Sequence, residues 1–95
     1  MRLTPQQIQT VRTLVRATMG EGSRIWLFGS RTDDRRRGGD VDLYVEPERA
    51  PALLEEARCR SRLADELDLD VDLVVARPGR ERPIEQIARA SGVPL

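Results

Sequence analysis

The sequence predicts a small α/β domain of the α+β kind, a mixed β-sheet covered by helices. Three observations lead there. Apolar residues fall into short blocks that switch between the helical and the extended period. One long amphipathic stretch separates two strand-like blocks, the length that a crossover between parallel neighbours needs. A short polar link containing Gly38-Gly39 separates the first two strand-like blocks, and it allows either a reversal or a crossover. The 95 residues are read as one domain spanning 1–95, large enough for a modest core and no second lobe.

The elements follow in order. Thr4-Pro5-Gln6-Gln7 is a helix start: Thr4 caps, Pro5 suits the first turn, and Gln7 stands where a capping-box partner would. Ile8, Val11, Leu14, Val15 and Ala17-Thr18 form its apolar stripe, and Gly20 and Gly22 stop it. Arg24 to Phe28 is a strand. Ser30 to Arg37 is a polar turn. Val41 to Glu46 is the second strand, with Val41, Leu43 and Val45 on one face and Pro47 at its end. Pro51 opens a helix running to about Leu67, with Leu53, Leu54, Ala57, Leu63, Ala64 and Leu67 on its apolar side. Asp70 to Ala76 is the third strand, Arg77-Pro78-Gly79 a turn, and Glu81 to Ala90 a last helix stopped by Gly92.

Composition excludes several chemistries. All 16 basic residues are arginine, so no histidine base, Ser-His-Asp triad, Schiff-base lysine or P-loop lysine can operate. Catalysis must run on carboxylates, hydroxyls, arginine, backbone amides and a metal. Cys59 is the lone cysteine, which rules out an intrachain disulfide and a cysteine metal cluster and reads as a buried or half-buried helix residue. A formal net charge of zero and three aromatic residues, Trp26, Phe28 and Tyr44, argue against a nucleic-acid partner, Arg35-Arg36-Arg37 notwithstanding. There is no apolar leader and no run long enough for a membrane span, so the expected location is the cytoplasm, away from membranes.

The chemistry lies in LFGSRTDDRRRGGDVDLYV, residues 27–45. Alternate side chains of a strand point the same way and stand about 7 Å apart along it. Asp40 and Asp42 therefore share a face opposite Val41 and Leu43, and Asp72 with Asp70 takes the matching place on the third strand. "VDL" recurs at 41–43 and 71–73, and if the strands are neighbours Asp42 and Asp72 lie side by side. Clustered carboxylates repel one another and call for neutralisation, either by arginine or by a divalent cation. Oxygen ligands suit Mg²⁺, and paired ions about 3.5–4 Å apart clamp the attacking and leaving oxygens of phosphoryl transfer. Gly29-Ser30 at a strand end offers backbone N–H groups and a hydroxyl to a phosphate, and Arg31 can pair with a phosphate oxygen. Each piece alone has a plain reading as a turn, a solvated strand face or a charged loop; the combination carries the weight.

FGSRTDDRRRGGDVDLYV followed by DVDLVV resembles the minimal nucleotidyltransferase domain of the DNA polymerase β-like superfamily, and IEQIARASGVPL is similar to that family's closing helix. The resemblance covers nearly the whole chain. It implies the polymerase β-like nucleotidyltransferase fold and transfer of AMP from ATP. By position, Gly29, Ser30 and Arg31 would hold the triphosphate; Asp40 and Asp42 would bind two Mg²⁺ ions; and Asp72 would be the third carboxylate, binding a metal and helping to deprotonate the acceptor hydroxyl. Gly39 departs from the family, many of whose members carry serine there. Members of this size are often encoded beside a HEPN-domain toxin and act as its antitoxin by adding AMP to one of its tyrosines, which makes such a neighbour the expected partner. Two other expectations stand beside this one. The chain could neutralise its partner by occupancy, as a non-catalytic nucleotide- or partner-binding module, or it could transfer a nucleotide to a small molecule.

Overall fold

The computed structural model describes residues 3–28, 41–79 and 83–95. Helix α1 (Pro5–Met19) leads into strand β1 (Arg24–Phe28) and then β2 (Val41–Glu46). Helix α2 (Leu53–Leu67), strand β3 (Val71–Val75), helix α3 (Pro83–Ser91) and the two-residue strand β4 (Val93–Pro94) follow. The four strands form one mixed sheet in the order β3-β2-β1-β4. β1 runs antiparallel to β2 and β4, so the first link reverses the chain. β2 and β3 are parallel, and α2 is the crossover between them.

Local signals account for the helix starts. Thr4 Oγ1 accepts from the Gln7 amide at 3.1 Å and Gln7 Oε1 accepts from the Thr4 amide at 2.8 Å, the two arms of a capping box. α2 begins two residues later than the proline suggested. Pro51 lies outside the helix, Ala52 is extended, and Glu55 Oε1 accepts from the Ala52 amide at 2.9 Å. Pro51 is held from outside instead: Arg77 donates to its carbonyl at 2.7 Å and pairs with Glu56.

The sheet has two covered faces. On one, α1 and α2 contribute Val11, Val15, Met19, Cys59, Leu63 and Leu67, which pack on Ile25, Val41, Leu43, Val45, Val71 and Val75. On the other, Ala88 of α3 packs with Phe28 and Tyr44, flanked by Trp26, Val74 and Ala76.

Several expectations need correction. Leu53, Leu54 and Ala57 are not in the core: they point outward, with Leu53 78% and Leu54 60% exposed. Spacing assigns residues to a helix but leaves the width of its buried stripe open, and Cys59, Leu63 and Leu67 already fill it. In α1 the buried position is Met19, while Ala17 is exposed. β3 is trimmed to Val71–Val75, and α3 (Pro83–Ser91) ends one residue later than expected, its expected start at Glu81 lying outside the described residues. β4 was not anticipated, since two residues ending in proline carry no periodicity.

Candidate active site

β2 and β3 present the same short pattern, and their register sets the site. Val41 pairs with Val71, Asp42 with Asp72, Leu43 with Leu73, and onward to Val45 with Val75. Register partners in a parallel pair share a face, and neighbouring strands lie about 4.8 Å apart. Asp42 and Asp72 are thus side by side. Val41, Leu43 and Val71, in alternation with them, are sunk in the aliphatic core on the opposite face. Asp42 is half-buried and Asp72 exposed, so solvent and small ligands reach the pair. Asp70 is exposed and precedes the strand.

On β1, Phe28 is the register partner of Asp42. The chain leaves β1 at Phe28 and enters β2 at Val41, both at the end of the sheet that carries the two acids. Gly29, Ser30, Arg31 and Asp40, the other residues expected in the site, lie outside the described residues.

One step along the strands, on the same face, lies a row that the sequence did not announce. Trp26 is the register partner of Tyr44, and their ring centroids are 5.3 Å apart. Tyr44 is fully buried. Its hydroxyl donates to Glu46 Oε2 at 3.1 Å and accepts from Arg89 Nη1 at 3.3 Å, while Arg89 also meets Glu46 Oε2 at 3.2 Å. Burial, then the Glu46 carboxylate, push the Tyr44 hydroxyl above its ordinary pKa, so it stays protonated as a donor. This cluster ties α3 to the strand that carries Asp42. Tyr44 could have been found from its alternation with Asp42; Arg89, far away in sequence, gave no signal.

The donor set at the acidic row consists of carboxylate oxygens, which suits a hard cation such as Mg²⁺ and not a soft one. Among the described residues no group of three or more histidine, cysteine, aspartate or glutamate side chains stands ready for a metal. Asp42 and Asp72 make a pair.

No family model matches the sequence, and a comparison with curated proteins found no match either. Solved structures do match. A toxin–antitoxin structure containing AMP-PNP is 27% identical, covering 97% of this chain and 72% of that one, with a TM-score of 0.77. A complex of tri-AMPylated Shewanella oneidensis HEPN toxin with its MNT antitoxin is 25% identical, covering 94% and 68%, at TM-score 0.73. A protein classed as a minimal nucleotidyltransferase is 25% identical, covering 99% of this chain and 98% of that one, at TM-score 0.67. The architecture and these likenesses define the class: a nucleotidyltransferase built on a mixed α/β sheet. Within that class the fold is that of the minimal nucleotidyltransferases, including the antitoxin members of MntA–HepT pairs.

Proposed function

We propose that this chain is an antitoxin that transfers AMP from ATP to a hydroxyl, a tyrosine's, on a HEPN-domain toxin encoded nearby, and so silences it in the cytoplasm. The observation that carries the reading is the register of Asp42 with Asp72 on adjacent parallel strands. Support comes from the structural neighbours, one of which holds AMP-PNP and another an AMPylated HEPN partner.

In this reading Asp40, Asp42 and Asp72 hold two Mg²⁺ ions, and Gly29, Ser30 and Arg31 receive the triphosphate. Mg²⁺, when bound, supplies positive charge that polarises the α-phosphate and stabilises the leaving oxygen. The acceptor oxygen forms a bond to the α-phosphorus. The bond from that phosphorus to the bridging oxygen of the β-phosphate breaks, and pyrophosphate leaves. The proton of the acceptor hydroxyl passes toward Asp72, the more exposed of the pair and the better placed to meet an incoming protein side chain.

The test is incubation of the protein with labelled ATP, Mg²⁺ and the neighbouring HEPN protein. Wild type is expected to label the partner and Asp42→Asn is not. Equal labelling by both overturns the mechanism. Equal protection of cells by both, without labelling, returns the occupancy reading.

A further inference from the structure

α2 faces two ways. Cys59, Leu63 and Leu67 fill the core, while Leu53 and Leu54 in its first turn stand 78% and 60% exposed. With Ala57 and Ser61 they make an apolar, small-residue stripe along the outer side of the helix. Leu54, Ala57, Arg58, Ser61 and Arg62 line an open groove of about 420 Å³. Its charged lining residues are Arg58 and Arg62, the second of which also meets Glu66 at 4.0 Å just outside the lining. Two adjacent leucines this exposed are a poor match to water, and an apolar strip edged by cations selects for what covers it.

We infer that the outer face of α2 docks the partner protein through a helix on that partner carrying an apolar stripe with carboxylates along one edge. The occupant follows from charge. A second copy of this chain seated on the same groove about a two-fold axis would bring Arg58 and Arg62 against the same arginines, so like charges oppose self-pairing. A membrane surface would meet the whole outer side of the helix, including the acids Glu55, Glu56, Asp65 and Glu66, whereas a single helix meets only the groove, whose charged lining is Arg58 and Arg62. A helix with acids on its edge meets both demands: its apolar stripe covers Leu53 and Leu54, and its carboxylates meet the arginines. The Asp42–Asp72 row lies on the sheet face opposite the one that α2 covers, so a partner held at α2 leaves the acids open to an acceptor hydroxyl carried by another segment, or another copy, of that partner.

The inference rests on the partner-directed function proposed above, and it is tested by binding rather than by transfer. Titration calorimetry of the full chain with the HEPN-domain protein encoded nearest to it compares wild type, Leu54→Asp and the double variant Arg58→Gln with Arg62→Gln. Leu54→Asp is expected to weaken binding about tenfold or more. The arginine variant is expected to weaken it less and to flatten its salt dependence. All three positions are exposed, so folding is retained, and circular dichroism checks it. Unchanged binding by Leu54→Asp overturns the inference, as does a wild-type dimer in sedimentation that Leu54→Asp dissociates. Binding that Leu54→Asp weakens, with no labelling of the partner by wild type, supports the docking surface and counts against AMP transfer alone.

Discussion

The two faces of the sheet differ in what covers them. Two fifteen-residue helices bury one face under side chains that are almost all aliphatic, many of them at zero exposure. A single nine-residue helix covers the other, where Phe28 and Tyr44 are buried, Trp26 is half-buried and the neighbouring row of acids reaches solvent. The same strands serve both. Val41 and Leu43 are locked on the first face while Asp42, between them, is presented on the second. Apolar packing on one side gives a carboxylate on the other a fixed position without burying it. Each way of perturbing the molecule should therefore separate stability from activity according to the face it touches.

The largest separation is expected at the acids. Asp42→Asn should lower transfer about a hundredfold or more, the scale of several kcal/mol of metal-assisted stabilisation, when labelled-ATP rates are compared. Its fold should be retained, because Asp42 is half-buried on the sheet face opposite the aliphatic core, and circular dichroism checks it. On the aliphatic face, Leu63→Ala should lower unfolding free energy by about 2–5 kcal/mol in urea titrations, since Leu63 is wholly buried and leaves a cavity.

Gly92→Ala probes the hinge between α3 and β4. A Cβ there would overlap the Ala88 carbonyl oxygen and stand 3.1 Å from that of Leu27, both backbone atoms, so the backbone must shift. A destabilisation of about 1–3 kcal/mol is expected in the same titrations. Tyr44→Phe, which leaves Arg89 and Glu46 to pair without the hydroxyl, should lower stability by about 1 kcal/mol and transfer by a small factor.

The smallest effect is in pH. Burial raises the pKa of the Cys59 thiol above its ordinary 9.0, and burial with Glu46 raises that of Tyr44 above its ordinary 10.0. The unfolded chain therefore loses both protons first. Their contribution is complete below about pH 9 and falls as pH rises through the folded values, with Cys59 acting before Tyr44. Urea midpoints taken across this range should decline, and Cys59→Ala should flatten the first part of the decline.

Much of this was legible in the chain. β1 and β2 fall at the bounds that their apolar blocks set, since strands edged by glycine, proline and charge leave little freedom at their ends. The adjacency of Asp42 and Asp72 was legible as a condition, two matching triplets on strands joined by a crossover-length helix, and the parallel pairing meets it. Tertiary contacts were not legible. The outward turn of Leu53 and Leu54 depends on how many side chains the sheet can accept. The Tyr44–Glu46–Arg89 cluster depends on where a distant helix lands. The hydrogen bond from the Gly22 amide to Glu48 Oε1, at 2.7 Å, likewise joins two loops that no local pattern connects.

The parallel pairing of VDLYV with VDLVV also works as a gauge. Sliding β3 by one residue would drive Asp72 into hydrocarbon and expel Val71 and Leu73 into water, a misalignment penalised at every position along the strand. The sorting of oil from water thus calibrates the separation of the two carboxylates, and mutations that blur the alternation in either strand should mis-set that spacing before they unfold the domain.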